Sequence, residues 1–162
     1  MLNLQFYKGS DLYSDGNIEN EILAIVKQNK DFTSIWSKDD RWPILYHLAP
    51  DRRNLLEWYP FEKDSTLLEI GAGCGALTGL FCEKVTKVTA VELSKKRAEI
   101  IEARYENKNN LSIFVGNLMD IAFEEKFDYI TLIGVLEYAN KFIDSQNPFA
   151  DLIIKVKQLL KP

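Results

Sequence analysis

The chain has 162 residues, 46% of them hydrophobic, which is enough for one domain with a hydrophobic core. Its net charge is −4, so no basic surface is expected and the composition predicts no nucleic-acid partner. No apolar run reaches the roughly 20 residues of a membrane helix, and residues 1–6 lack the pattern of a signal peptide. We therefore expect a cytoplasmic protein that does not contact a membrane.

Residue types that bind transition metals are rare in this chain. His47 is its only histidine, and its two cysteines, Cys74 and Cys82, are not spaced as metal ligands or as a disulfide framework. The sequence therefore predicts no metal site, and both cysteines are expected to be structural.

The first 60 residues are predicted to form an arm and helices that precede a second segment, residues 61–162. The predicted segments are an irregular arm over 1–16, a helix from Ile18 to about Asn29, a loop over 31–44 that contains Trp36 and Trp42, and a helix over 51–59 that stops at Pro60. The helix from Ile18 either covers a cofactor site or packs on the sheet, and the sequence leaves both open.

Short apolar strands alternate with helical patterns after residue 61. The predicted strands are 66–70, 87–92, 111–115 and 127–133, and the predicted helices are 75–84, 95–107 and 148–160, with a crossover at 118–125. This alternation predicts an α/β fold, a doubly wound and mostly parallel sheet of the Rossmann type. Right-handed crossovers give a doubly wound sheet with a ligand crevice at the carboxyl ends of its strands. We expect the four strands in the spatial order 3-2-1-4.

The sequence Glu69-Ile-Gly71-Ala-Gly73-Cys-Gly75 joins the first of these strands to a helix. Such a turn has little side-chain bulk, so a ligand could lie against bare backbone N–H groups beside the helix N-terminus. Glu69 argues against a phosphate there, because a second anion would be repelled, and favours a cationic or zwitterionic nucleoside. A plain tight turn and a dinucleotide-binding G-x-G-x-x-A pattern are the alternatives.

This stretch resembles the first motif of the class I S-adenosylmethionine-dependent methyltransferases, E/D-x-G-x-G-x-G. The resemblance implies a Rossmann-like fold that binds S-adenosylmethionine. The first group of implied contacts is Glu69, Gly71, Ala72, Gly73 and Gly75.

Glu92 ends the second strand, 21 residues after Gly71. A carboxylate at that interval can accept both ribose hydroxyls, so Glu92 is predicted to bind the ribose. The adjacent Leu93 is also predicted to contact the cofactor. NAD-binding sites share this acid, so it predicts a nucleoside without saying which one.

The resemblance extends to the ends of the third and fourth strands. It implies that Asn117, where the family often has Asp, and the backbone of Leu118 meet the adenine, and that Gly134 and Leu136 contact the methionine part. Glu137 and Tyr138 are then the candidates for acceptor contact.

A weaker resemblance links residues 42–60 to a subgroup of bacterial methyltransferases often found beside glycosyltransferases. It implies that Tyr46, His47, Arg52 and Arg53 face the methionine end of the cofactor or the acceptor. The sequence identifies no general base; Glu137, Tyr138 and His47 are the candidates for catalytic groups.

We predict an S-adenosylmethionine-dependent methyltransferase domain that acts on a small-molecule or sugar-containing acceptor. An NAD(P)-binding oxidoreductase or epimerase domain and a non-catalytic module with the same fold are the alternatives. Because the family continues with further strands after Pro162, we expect a truncated domain, fused to further domains in the full-length protein. The isolated chain is expected to bind the cofactor, to transfer methyl groups poorly, and to dimerise through an exposed edge strand, Phe127–Ile133.

Overall fold

The computed structural model describes residues 2–28, Ile35 and 38–162. Its strands are β1 (Leu2–Asn3), β2 (Thr66–Ile70), β3 (Lys87–Glu92), β4 (Leu111–Val115) and β5 (Tyr129–Leu132). Its α-helices are α1 (Ile18–Gln28), α2 (Trp42–Leu48), α3 (Thr78–Lys84), α4 (Lys95–Arg104), α5 (Ala139–Phe142) and α6 (Pro148–Leu159), and 3-10 helices span Pro50–Leu55, Leu118–Asp120 and Leu136–Tyr138. The predicted helix end at Asn29 and the predicted loop residues 31–34 and Trp36 lie outside the described residues.

The described strands form one parallel sheet in the order β1-β4-β3-β2-β5. This confirms the predicted α/β class and, for the four predicted strands, the order 3-2-1-4. Three strands have their predicted bounds. β2 and β3 are rich in apolar residues and buried except at their first residue, whereas β4 is apolar except at the exposed Ser112. The fourth, β5, is three residues shorter than predicted.

A fifth strand was not predicted. Leu2 and Asn3 pair in parallel with Ile113 and Phe114 and so extend the sheet beyond β4. The expectation of only four strands and of a wholly irregular arm over 1–16 is therefore wrong. A strand of two residues shows no alternation that sequence could reveal, and its pairing partner lies more than 100 residues away.

Apolar residues cover both faces of the sheet. One face packs Leu67 and Val88 against Phe81 of α3, and the other packs Leu68 and Ile70 against Leu152 of α6. Alternate residues of β2 thus serve opposite layers, which fixes the register of the central strand.

Helix α1 lies on helix α4. Ile22 and Val26 are buried in a cluster with Ile100 of α4 and Leu48 of α2. The sequence left two positions open for this helix, over a cofactor site or on the sheet. Neither describes the observed packing, because α1 packs on helix α4 and not on the sheet itself. The predicted helix over 51–59 is instead a 3-10 helix that ends at Leu55.

Strand β5 lies at the edge of the sheet opposite β1. Beside it, Phe127 and Leu160 form an isolated parallel bridge, and the Lys161 N–H donates to the Phe127 carbonyl over 2.9 Å. Within the part of the chain that the structure describes, no helix has the length and apolar character needed to span a membrane.

Candidate cofactor-binding site

A cavity of about 410 Å³ lies at the carboxyl ends of β2, β3 and β5. Ligand sites of parallel α/β sheets lie at this edge, and the volume suits a nucleoside-sized molecule. Of the predicted site residues, those that line it are Glu69, Gly71, Ala72, Gly73, Glu92, Leu93, Asn117, Leu118, Gly134, Glu137, Tyr138, Tyr46, His47 and Arg52, whereas Arg53 does not.

Two predicted cofactor contacts do not line this cavity. Gly75 faces the opposite way, where the Tyr105 hydroxyl donates to its carbonyl over 2.6 Å. Leu136 packs against the hydrophobic cluster around Phe127. Both residues shape elements that border the cavity, and sequence spacing alone could not separate them from the lining residues.

The glycine turn is held by its own backbone hydrogen bonds. Gly71, Gly73 and Gly75 have φ values of 72°, 58° and 79°, in the region that glycine favours. The N–H groups of Gly71 and Ala72 donate to the Val91 carbonyl, and that of Gly75 donates to the Ala72 carbonyl.

The remaining glycine N–H, that of Gly73, donates to Glu92 Oε2 over 2.7 Å. The expectation that this turn offers bare N–H groups is therefore wrong for these four residues. Because these four N–H groups are used within the protein, the glycine turn offers fewer donors to a diphosphate than a dinucleotide-binding loop does.

Glu69 is a buried carboxyl group at the end of β2. Only 5% of the residue is exposed, and the Thr78 hydroxyl donates to its Oε2 over 2.6 Å. Desolvation by burial, with the neighbouring charge of Glu92, raises the pKa of Glu69 to about 8. A positively charged ligand group in this cavity would stabilise the ionised form of Glu69.

Glu92 is held in place from two sides. Its Oε2 accepts the Gly73 N–H, and its Oε1 accepts the Ser94 N–H over 2.9 Å. Burial raises the pKa of this carboxyl group. Because a carboxylate has about four acceptor sites, both oxygens keep a lone pair that can receive hydroxyl donors.

Asn117 caps the 3-10 helix that follows β4. Its Oδ1 accepts the Met119 N–H over 3.0 Å, and its Nδ2 donates to the Phe142 carbonyl over 2.7 Å. The second lone pair of Oδ1 is what could meet an adenine amino group.

Gly134, at φ 68°, lies across the cavity from α2. A Cβ atom on Gly134 would lie 3.4 Å from the Tyr46 hydroxyl and 3.8 Å from Glu137 Oε1. Tyr46 and Glu137, which approach from distant parts of the chain, therefore meet at this glycine.

His47 is buried and its Nε2 lies 2.9 Å from Asp15 Oδ2. Desolvation lowers the pKa of this imidazole.

Tyr138 also contacts the N-terminal arm, because the Tyr13 hydroxyl donates to the Tyr138 hydroxyl over 3.2 Å. That hydrogen bond and partial burial raise the pKa of Tyr13 to about 12.

Tyr13 and Asp15 line the cavity, although sequence analysis did not select them. Their position depends on Arg97, whose Nε donates to Glu19 Oε1 over 2.7 Å and whose Nη2 donates to Asp15 Oδ2 over 2.8 Å. The Arg97 guanidinium also lies 4.5 Å from the centre of the Tyr13 ring. No local pattern in the arm indicates these long-range contacts.

Comparison with known proteins identifies related sequences. The family model described as "Methyltransferase domain" matches residues 67–162, more than half of the chain. A ribosomal RNA small subunit methyltransferase A of Mycoplasma capricolum is 24% identical over 156 residues, which cover 94% of this chain and 44% of that protein. A malonyl-[acyl-carrier protein] O-methyltransferase of Priestia megaterium is 30% identical over 82 residues, 49% of this chain and 30% of that protein.

A solved structure shares the fold. The phosphoethanolamine N-methyltransferase 1 of Haemonchus contortus, in complex with phosphoethanolamine and S-adenosylhomocysteine, superposes with a TM-score of 0.60. It is 17% identical, and the match covers 90% of this chain and 30% of that one. The chain thus spans less than half the length of the curated relatives it matches.

These relatives correct one prediction. Several carry the name ribosomal RNA small subunit methyltransferase A, so the exclusion of nucleic acid and the restriction to a small acceptor are wrong. The prediction failed because net charge describes only these 162 residues, whereas the matches cover only 27%, 44% and 30% of three of the relatives, whose remaining residues also contribute charge. The methyltransferase match also favours the first predicted function over an NAD(P)-binding oxidoreductase.

Proposed function

The chain belongs to the class I S-adenosylmethionine-dependent methyltransferases, and from this premise we propose that it binds S-adenosylmethionine in the cavity and transfers its methyl group. The single observation that carries the proposal is the pair of buried carboxyl groups, Glu69 and Glu92, beside a turn in which the N–H groups of all three glycines donate within the protein. This surrounding suits a positively charged nucleoside and disfavours a diphosphate.

When bound, the cofactor supplies a methyl group on a sulfonium leaving group, so the protein's work is mainly positioning. Glu92 would accept the ribose hydroxyls, and Asn117 with the backbone of Leu118 would meet the adenine. Glu69 would face the charged end of the cofactor. This assignment is supported by the presence of all four residues in the lining of the same cavity.

The acceptor would enter between Tyr138 and the aromatic residues of α2. Glu137 is exposed beside Gly134, where it could take a proton from an acceptor that must lose one. His47 is less suited to that role, because its Nε2 is engaged by Asp15 and its pKa is lowered. In-line alignment and exclusion of water would supply most of the rate enhancement.

We also propose that the division predicted from sequence is functional: residues 1–60 cap the site and residues 61–162 form the cofactor core. Support comes from the cavity lining, to which the first segment contributes Tyr13, Asp15, Trp42, Tyr46, His47 and Arg52.

Isothermal titration with S-adenosylhomocysteine tests the proposal, with NAD as the competing ligand. We expect S-adenosylhomocysteine to bind and NAD not to displace it. Absence of binding at millimolar S-adenosylhomocysteine, or preferential binding of NAD, would overturn the proposal.

Methyl transfer itself is tested with methyl-labelled S-adenosylmethionine. Small-subunit ribosomal RNA is the first acceptor to assay, because it appears in the names of several relatives. Incorporation of label that is lost in a Glu137→Gln variant with unchanged cofactor affinity would support the acceptor-side role of Glu137.

A further inference from the structure

The last residue of helix α4 connects two walls of the cavity from behind. Arg104 Nη1 donates to the Cys74 carbonyl of the glycine turn over 2.7 Å, and to the His47 carbonyl near the end of α2 over 2.9 Å. One nitrogen thus bridges two segments that are distant in sequence. Arg104 does not itself line the cavity, so it can affect a ligand only through the groups that it holds.

The His47 carbonyl is one that α2 cannot satisfy by itself. The last four carbonyls of a helix have no partner within the helix, and His47 lies in the last turn of α2, which ends at Leu48. A cation at this end also interacts favourably with the helix dipole. Because charge-assisted hydrogen bonds are stronger than neutral ones, Arg104 fixes the end of α2 in place.

The next carbonyl of the glycine turn is held by the residue that follows Arg104. The Tyr105 hydroxyl donates to the Gly75 carbonyl over 2.6 Å. Its ring packs on Gly75 and Gly79, where added Cβ atoms would lie 2.9 and 2.6 Å from ring carbons. Tyr105 is also absent from the cavity lining. Two successive carbonyls of the turn are therefore fastened to the end of α4, behind the cavity.

The other contact between α2 and the turn is of a different kind. A Cβ atom on Gly73 would lie 3.8 Å from Cε1 of the His47 ring, and both residues line the cavity. A van der Waals contact of this kind resists closer approach but opposes separation only weakly. The hydrogen bonds of Arg104 do oppose separation. The spacing between α2 and the turn therefore depends on Arg104.

We propose that Arg104 is a positioning residue for cofactor binding, which holds α2 and the glycine turn at the spacing that the ligand needs. This inference rests on the proposed function. Without the bridge the two walls would be free to separate, and binding would have to order them at a cost in affinity. Ligand affinity should therefore depend on a residue that does not touch the ligand.

Isothermal titration with S-adenosylhomocysteine tests this role on four proteins. Arg104→Met removes the donors and keeps much of the aliphatic chain, and Arg104→Lys keeps an ammonium with three donors. The matched control is Asn110→Ala. Asn110 Nδ2 also donates to two carbonyls, those of Cys82 and Val85, over 3.0 and 3.2 Å, but at the end of α3 that is remote from the glycine turn. None of these three residues lines the cavity.

We expect Arg104→Met and Asn110→Ala both to unfold at lower urea concentration, because each loses two hydrogen bonds to carbonyls. At a temperature where every variant is folded, Arg104→Met should bind S-adenosylhomocysteine about tenfold more weakly. Asn110→Ala should bind it as the unmodified protein does. Arg104→Lys should recover part of the lost affinity, because its ammonium can still donate to the carbonyls.

The position of α2 can be followed separately by NMR. His47 is the only histidine of the chain, so its imidazole signal is assigned without ambiguity. In the ligand-free protein this signal should move in Arg104→Met and stay in place in Asn110→Ala. Saturating S-adenosylhomocysteine should return the Arg104→Met signal towards that of the unmodified complex, because the ligand would restore the spacing.

Each contrary result is distinguishable. Unchanged affinity in a folded Arg104→Met variant overturns the positioning role and leaves the proposed function standing. Equal losses in Arg104→Met and Asn110→Ala also overturn it, because affinity would then follow general stability. If Arg104→Met does not fold, Arg104→Gln, whose side chain is too short to bridge the two carbonyls, replaces it with the same expectations. Failure of the unmodified protein to bind S-adenosylhomocysteine overturns the proposed function and this inference together.

Discussion

The Gly73 N–H donates to Glu92 Oε2 over 2.7 Å, so the turn after β2 is fastened to the last residue of β3. The partner of Gly73 is the same carboxylate that is predicted to receive the ribose. Glu92 therefore shapes the turn before any ligand arrives, and its two oxygens are oriented by Gly73 and Ser94. Binding should gain from this preorganisation, since little of the site needs to be ordered.

The first prediction concerns this carboxylate. Glu92→Gln should weaken S-adenosylhomocysteine binding by about tenfold to a hundredfold, because the amide can accept only one of the two backbone N–H donors and loses acceptors for the ribose. Isothermal titration measures the change. Glu124→Gln, at an exposed position, is the matched control and should bind normally. Equal affinities for the two variants would contradict the role of Glu92.

The sequence predicted the bounds of the three interior strands of the described sheet, β4, β3 and β2, correctly. Strands β2 and β3 are rich in apolar residues and almost wholly buried, and β4 is apolar except at Ser112, so composition and the flanking turn residues define the ends of all three. Their order was expected from the family that the sequence resembles, and it agrees with right-handed crossovers. The same logic places the acidic residues at the carboxyl edge, where Glu69 and Glu92 lie.

The contribution of the arm could not be predicted. Asp15 contacts His47 at a separation of 32 residues and Arg97 at a separation of 82. Each contact depends on the path of the arm after β1. That path could not be predicted, because a strand of two residues has no recognisable alternation of apolar and polar residues. The sequence also failed to show that the N–H groups of the glycine turn are used within the protein. They donate to residues at the end of β3 and within the turn, and residue type does not reveal such backbone hydrogen bonds.

The second prediction concerns pH and the stability of the ligand-free protein. The Glu69 carboxyl has an ordinary pKa of 4.5 and a folded pKa of about 8. Between these values the unfolded chain has released its proton while the folded protein retains it, so stability falls as pH rises through this window. Glu69→Gln removes this dependence and should be more stable near pH 7, by on the order of 2 kcal/mol.

Urea unfolding at pH 5 and pH 7 measures this effect. The gap between Glu69→Gln and the unmodified protein should widen from pH 5 to pH 7, while the variant should bind S-adenosylmethionine less tightly. Thr78 can still donate to the amide oxygen of glutamine, so its hydrogen bond is retained. A gap that is independent of pH would show that Glu69 is not the group responsible.

The third prediction concerns Gly71. A Cβ atom there would overlap Val135 Cγ2, and the φ of 72° is unfavourable for alanine. Gly9 has a similar φ of 84° with nothing within 4 Å of a Cβ atom, so Gly9→Ala isolates the backbone effect of about 1–2 kcal/mol. Gly71→Ala should be destabilised by about 1–3 kcal/mol more than Gly9→Ala. In urea unfolding, Gly71→Ala/Val135→Ala should recover most of that difference, and failure to do so would exclude overlap with Val135 as the cause.

The fourth prediction concerns the attachment of the arm. Arg97 is 5% exposed and forms ion pairs with Asp15 and Glu19. Arg97→Met would leave the buried carboxylate of Glu19 without its cation, so we expect it to destabilise the protein by about 3–5 kcal/mol. Lys96→Met is the matched control, because Lys96 is one residue away and its ion pair with Glu99 is at the surface.

Hydrogen exchange over residues 2–16 distinguishes local from global loss. If the ion pairs of Arg97 with Asp15 and Glu19 hold the arm over the cavity, Arg97→Met should increase hydrogen exchange in the arm more than in β2 and β3. Saturating S-adenosylhomocysteine should then partly restore the protection of the arm. Uniform acceleration in all strands would mean that Arg97 stabilises the whole fold and does not act on the arm in particular. Because Tyr13 meets Tyr138 across the cavity, release of the arm should also open the acceptor side of the site.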